Sequence, residues 1–194
     1  MAQLLVKIPK ERIGVLVGPN GRVKEEIQKR LPVELEINGE TGDVSVFLNK
    51  DATDPSLLFK ARDVVVAIGR GFSPERAFRL IDFEDDMLMI IDLRDIFGRS
   101  QSDITRVKGR IIGKEGKTRQ IIEEMTETQV SIYGHTIALI GDVEQVEVAR
   151  EAINLFIKGS QHITVYKYLQ RKRQELKKKK IELWEGSPLS SEEM

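Results

Sequence analysis

The chain has 194 residues, 40% of them hydrophobic and 32% charged, and its 31 basic and 31 acidic side chains leave a formal net charge of zero. That length can bury one or two cores, and the neutral total argues against a protein that coats nucleic acid over its whole surface. Cysteine is absent, which excludes disulfides, thiolate metal sites and cysteine nucleophiles.

No apolar run approaches the roughly 20 residues needed to span a bilayer. The start, Met1-Ala2-Gln3-Leu4-Leu5-Val6-Lys7, lacks the apolar run and small-residue cleavage site of a signal peptide. A cytoplasmic protein without a membrane partner is expected. The Lys/Glu/Ile-rich, cysteine-free composition follows a thermophile's tendency.

Charge is unevenly spread. Residues 106 to 119 carry Arg106, Lys108, Arg110, Lys114, Lys117 and Arg119 against Glu115 alone. Residues 160 to 180 are basic as well, and the balancing acids include Asp82, Glu84, Asp85 and Asp86. For nucleic-acid binding, a local basic stripe counts for more than the sum.

The chain is an internal repeat. Shifted by 95 residues, Gly14-Val15-Leu16-Val17-Gly18-Pro19-Asn20-Gly21 lies on Gly109-Arg110-Ile111-Ile112-Gly113-Lys114-Glu115-Gly116. The shift also lays Ile27 on Ile122, Leu35 on Val130 and Ile37 on Ile132. Farther on the offset shrinks to 88, placing Ala61-Arg62 on Ala149-Arg150.

In chain order, Leu4, Val6 and Ile8 alternate as a half-buried strand should. Ile13, Leu16 and Val17 then follow helical spacing up to the glycine turn, and Val23 and Ile27 resume it. Val33-Glu34-Leu35-Glu36-Ile37 and Val44, Val46, Leu48 alternate again, and Asn38-Gly39 between them signals a hairpin. Asp54-Pro55 opens a third helix with Leu57, Leu58, Ala61, Val64, Val65 and Ile68 on its apolar face. From Ser73-Pro74 to residue 86 the connector is predicted to hold one packed linker helix followed by an acidic loop.

The second copy begins with the nearly continuous apolar run Met87 to Leu93, which predicts a strand buried on both faces. Ile104, Val107, Ile111 and Ile112 give its first helix, and Thr118, Ile121, Ile122 and Met125 its second. The third helix opens at Asp142 with a capping box to Gln145 and buries Val146, Ala149, Ile153 and Phe156. A further basic helix is expected over residues 162 to 183, then a loose end from Gly186 to Met194. The fold class is α+β, each copy a three-stranded sheet with three helices on one face. Expected boundaries are 1–71, 72–86 for the connector, 87–159, and 160–194 for the basic helix and tail.

Gly-x-x-Gly by itself carries little weight, and the chain holds three. Gly39 to Gly42 belongs to a hairpin turn. Gly18 to Gly21 and Gly113 to Gly116 lie between paired amphipathic helices at equivalent points of the repeat. Glycine at each end lets the backbone turn sharply and removes Cβ atoms that would block a phosphate. The following helix presents free N–H groups and the positive end of its dipole there. In the second copy Lys114, Lys117 and Arg119 add charge, and Ile112, Val130 and Ile132 are candidates for the floor of a base groove. The pattern predicts a clamp for single-stranded RNA. In the first copy Pro19-Asn20 adds no charge, and Arg22 and Lys24 follow the turn.

Competing readings are weaker. Gly116-Lys117-Thr118 ends like a P-loop, yet Ile111 stands where that motif needs glycine and a helix stands where it needs a strand. His135 and His162 are the only histidines, no nucleophile–base pair is recognisable, and neither catalysis nor a cofactor or metal is expected. The acids at 82 to 86 read as a solvated connector rather than a Mg²⁺ site. Either glycine loop could be a plain helix–helix turn. A protein-interaction scaffold with little direct RNA contact is the main alternative function.

Both copies resemble type I K-homology (KH) domains, and Arg110-Ile111-Ile112-Gly113-Lys114-Glu115-Gly116-Lys117-Thr118 is close to that family's signature. With Ile91-Asp92-Leu93-Arg94-Asp95-Ile96-Phe97-Gly98 and His162-Ile163-Thr164-Val165-Tyr166, residues 1 to 170 are similar to the "partner of Nob" family of archaeal and eukaryotic small-subunit assembly factors. The long N-terminal extension of eukaryotic relatives is missing here, which points to the archaeal form. The resemblance implies RNA contact through Gly109, Arg110, Ile112, Gly113, Lys114, Glu115, Gly116, Lys117, Arg119, Val130 and Ile132. In the first copy it implies Gly14, Gly18, Pro19, Asn20, Gly21, Arg22 and Lys24. It also implies binding near the 3′ end of small-subunit ribosomal RNA, alongside the endonuclease that trims that end and other pre-ribosomal proteins.

Overall fold

A computed structural model describes residues 2 to 185; the end expected to be loose, Gly186 to Met194, lies outside them. The first unit runs β1 (Gln3–Lys7), α1 (Lys10–Val17), α2 (Arg22–Arg30), β2 (Val33–Ile37), β3 (Asp43–Leu48) and α3 (Ser56–Gly69). All strand pairs are antiparallel and β3 is central, with the order β1-β3-β2. The alternation seen in the sequence sets the faces: Val6, Val33, Leu35, Val44 and Val46 are buried with Leu16, Ile27, Ala61, Val64, Val65 and Ile68 of the helices. Leu5, on the opposite face of β1, is 69% exposed. Asn38 builds the hairpin as its Asn-Gly signal predicts, its side-chain oxygen accepting from the Glu40 and Thr41 N–H groups.

The connector departs from the expected single helix. It forms two one-turn helices, α4 (Pro74–Ala77) and α5 (Arg79–Asp82), meeting at Phe78. The backbone tightens there, the Ile81 N–H reaching the Phe78 carbonyl at 2.8 Å. The connector is nonetheless packed, with Phe72, Ala77 and Leu80 buried. Two of its acids are paired, Asp82 with Arg30 and Asp86 with Arg79, while Glu84 and Asp85 lie exposed in the turn before β4.

The second unit runs β4 (Asp86–Asp92), α6 (Leu93–Phe97), α7 (Gln101–Ile112), α8 (Lys117–Thr126), β5 (Gln129–Tyr133), β6 (Thr136–Asp142) and α9 (Val143–Ile157), with strand order β4-β6-β5. Two expectations fail here. The apolar run at 87–93 forms an edge strand, half-buried along its length, with Ile90 exposed and Leu93 beginning α6. The strand buried on both faces is the central β6, where every residue from Thr136 to Gly141 is buried. Asp142 does cap α9, accepting from the Glu144 N–H, but Gln145 donates to Glu127 instead of closing a capping box.

Ile137 and Leu139 join the core under α7, α8 and α9, whereas Ala138 and Ile140 join the core of the first unit. The back of the second sheet therefore lies on the first unit and the connector. Ser131 Oγ donates to the Arg70 carbonyl at 2.8 Å, Tyr133 OH donates to Glu11, and Arg12 lies over the Tyr133 ring. Burial first, and then the bond to Glu11, raises the Tyr133 pKa above its ordinary value.

The last helix, α10 (His162–Glu185), is built into the second unit. Val165 and Leu169 are fully buried against it. Arg173 reaches Met125 of α8, Lys180 lies near Glu127, and Lys179 pairs with Glu144 at the start of α9. So α10 runs parallel to α8 and antiparallel to α9. Among the described residues no helix is long and apolar enough to cross a membrane.

Gly71 sits where the units meet. Its φ is +98°, and a Cβ there would lie 2.7 Å from Ser131 Oγ and 2.8 Å from Tyr133 Cβ. Gly71→Ala is expected to destabilise the chain by about 1–3 kcal/mol. An unchanged urea midpoint would show that the contact is slack.

Candidate nucleic-acid interface

The two glycine turns share one geometry. Gly18 has φ/ψ of 73°/174° and Gly113 of 72°/−179°. The third residue of each turn is left-handed without being glycine, Asn20 and Glu115 both at φ 53°. Gly21 and Gly116 are left-handed as well. No side chain caps α2 or α8, and the leading N–H of each helix, from Arg22 and Lys117, donates back into the turn to the Pro19 and Lys114 carbonyls; the positive end of each helix dipole still faces the turn.

The glycines do different jobs. A Cβ on Gly113 would lie 2.9 Å from the Thr118 nitrogen, and one on Gly18 2.9 Å from the Val23 nitrogen. The first glycine thus lets the next helix pack onto the turn, a requirement of the fold. A Cβ on Gly116 would meet nothing within 4 Å; there the left-handed backbone favours glycine and the space outside is open. Thr118 is buried and its hydroxyl is 3.0 Å from Tyr166 OH, which ties the start of α8 to α10. The P-loop reading ends here, because the preceding element is helix α7.

Most cations of the 106–119 stretch are spoken for. Arg106 pairs with Asp103, Lys108 donates to the Gly134 carbonyl at 2.7 Å, and Arg119 Nε is 4.0 Å from Glu123. Arg110, expected on the RNA surface, is turned away from it. Its guanidinium donates to the Phe156 carbonyl at 3.0 Å and to the Ser160 carbonyl, capping the end of α9. Arg12 does the same for α3 through the Ile68 and Phe72 carbonyls. Lys114 and Lys117 remain, both exposed and without an ion pair or hydrogen bond among the described residues. From Gly113 through Ile122 three cations face one carboxylate, whereas from Gly18 through Ile27 Arg22 and Lys24 are balanced by Glu25 and Glu26.

The groove beside the turn is bounded by β5, an edge strand. Val130, expected in its floor, is fully buried in the core and cannot meet a base. Ile112 and Ile132 are half-buried at the groove, and Gly109 and Gly14 open onto empty space on α7 and α1. The outward Val130 N–H donates to Glu123 Oε1 at 2.7 Å. By strand alternation the Ile132 N–H and C=O point out of the same free edge, where they can read a base. In the first unit Gln28 accepts from the Leu35 N–H at 3.2 Å in the matching place.

The histidines support structure. His135 Nδ1 is 2.8 Å from Asp92, and His162 Nε2 is 3.1 Å from the Arg110 carbonyl. Burial opposes ionisation of Asp92, but bonds from the Arg94 N–H and His135 hold its pKa below the usual value. No group of three metal-ligating side chains occurs among the described residues.

Paired helices around a glycine turn, on a sheet with its hairpin strand at the edge, define the K-homology class. Residues 87–174 match the family model described as a eukaryotic type KH-domain, KH-domain type I. The chain is 46% identical, over 93% of its length and 78% of the relative's, to a KH domain-containing protein of Methanocaldococcus jannaschii. It is 29% identical, over 83% of its length and 58% of the relative's, to the pre-rRNA-processing protein PNO1 of Candida albicans. Among solved structures it matches a chain of the a/eIF2alpha–aDim2p–rRNA complex from Pyrococcus horikoshii OT3, with 50% identity, a TM-score of 0.84, and coverage of 90% of this chain and 95% of that one. The chain belongs to the PNO1/Dim2-type KH-domain family.

Because Arg110 braces α9 instead of the groove, Arg110→Gln is expected to cost about 1–3 kcal/mol of stability, read by thermal or urea unfolding. A variant as stable as the parent would return Arg110 to the list of surface cations.

Proposed function

We propose that the protein binds single-stranded RNA during maturation of small-subunit ribosomal RNA, with the second unit as the principal clamp. In this reading residues 1–71 and 87–159 are two KH modules, 72–86 joins them, and α10 belongs to the second. One observation carries the choice of module: Lys114 and Lys117 are exposed and uncommitted at the uncapped start of α8. Phosphates would sit against the turn and the α8 N–H groups, and bases would lie between Ile112, Ile132 and the free edge of β5. About four nucleotides fill such a groove. The binding of rRNA in the relative's complex and the pre-rRNA processing of the fungal relative point the same way.

The finer proposal is that the bound segment lies near the 3′ end of the small-subunit RNA and that the protein assists the endonuclease that trims it. Pre-ribosomal proteins would be further partners. The charge balance around Gly18 to Gly21 favours a second reading for the first module alone, in which it positions the protein through protein contacts.

Replacing Lys114 and Glu115 by Asp tests the clamp. The left-handed third position tolerates Asp, so the turn should survive while two acids face the phosphate. Affinity for a short single-stranded RNA should fall at least about tenfold, with a shallower salt dependence. Unchanged affinity would remove the second module from the interface. The same change at Pro19 and Asn20 should have a small effect, and a comparable loss would make the first module an equal clamp.

A further inference from the structure

We infer that the connector completes the RNA groove of the second unit, with Arg76 as a groove cation supplied from outside the KH fold. The inference rests on the RNA reading of that groove. Glu123 stands at the groove's edge, and its Oε1 accepts both the outward Val130 N–H, at 2.7 Å, and the Arg76 guanidinium. Arg119 approaches the other oxygen at 4.0 Å. Two donors on one oxygen place the Arg76 guanidinium within about 5 Å of the β5 edge. The outward groups of Ile132 are about 7 Å further along the strand.

A lone carboxylate here would repel phosphate. Bracketed by two guanidiniums, the site instead carries one net positive charge. The carboxylate is the more buried partner, its side chain 19% exposed, while Arg76 is 34% and Arg119 40% exposed. The acid faces inward and the cations reach solvent. A planar guanidinium with five donors can hold Glu123 and a phosphate oxygen together. The first unit has neutral Gln28 at the matching position, hydrogen-bonded to its strand in the same way.

Arg76 is held in place from several directions. Ser73 Oγ accepts from its backbone N–H, and its guanidinium lies over the Phe72 ring. The neighbouring Arg79 donates to the Glu127 carbonyl at 2.8 Å and pairs with Asp86. The close approach at Gly71 anchors the start of the connector.

The test uses the full chain and a short labelled single-stranded RNA titrated at several salt concentrations. Arg76→Ala should weaken binding by roughly three- to tenfold and lower the salt slope by about 0.7, the share of one phosphate contact. A purely structural ion pair would alter unfolding but not the slope. Glu123→Gln keeps an acceptor for Val130 while removing the acid, so it should bind more tightly than the parent. Unchanged affinity and slope in Arg76→Ala, or affinity no better than the parent in Glu123→Gln, would overturn the inference. If the Lys114→Asp, Glu115→Asp variant loses RNA while Arg76→Ala does not, only the connector's part is wrong. If neither loses RNA, the reading of the second unit falls.

Discussion

Everything in this chain depends on β6 being covered from both sides. A strand sends alternate side chains to opposite faces, so Ile137 and Leu139 meet the helices of their own unit while Ala138 and Ile140 meet the first unit. Burying a side chain the size of Ile140 is worth about 1.5–3 kcal/mol. A partly exposed ion pair such as Arg30 with Asp82 contributes at most about 1 kcal/mol. Apolar burial therefore holds the units together, and the bonds from Ser131 and Tyr133 set their orientation. The consequence for function is geometric: the two glycine turns sit on one body, and a partner meets them at a set spacing.

The same packing separates two kinds of cation that look alike in the sequence. Arg110 and Lys114 are one helical turn apart, but one braces the carbonyl end of α9 and the other faces solvent. Arg12 repeats the bracing in the first unit, three residues out of register with Arg110 in the internal repeat. The requirement is for a cation at a helix C-terminus, and either of two adjacent turns of the first helix can supply it. A basic stretch thus overstates the RNA surface, since most of its charge holds helices, hairpins and neighbouring carboxylates in place.

Features set by local chemistry were legible in the sequence: the alternating strands, the Asn38-Gly39 hairpin, the Asp142 cap, and the glycine turns between amphipathic helices. Features set by partners distant in the chain were not. The run Met87 to Leu93 reads as doubly buried because its apolar residues are contiguous, yet strand order makes it an edge. Val130 reads as groove floor because it lies on the edge strand, yet its side chain points into the core. The pairing of Glu123 with Arg76 is not written in either residue's neighbourhood, since the two are 47 residues apart and joined only when the connector folds over α8. A single clue was available, the acid standing in the second copy where the first has Gln28.

The two turns also show what a Gly-x-x-Gly pattern is evidence of. Its first glycine answers to the fold in both copies, because any side chain there would strike Val23 or Thr118. A copy that had lost its ligand would keep that glycine. The pattern therefore marks the architecture, and the charge around it marks the use. Around Gly18 to Gly21 the cations are matched by Glu25 and Glu26. Around Gly113 to Gly116 the excess is positive, the helix start is uncapped, and Thr118 is bonded to Tyr166 of α10. That last bond makes the final helix a brace for the turn, so the rigidity of the clamp depends on a segment beyond the repeated unit.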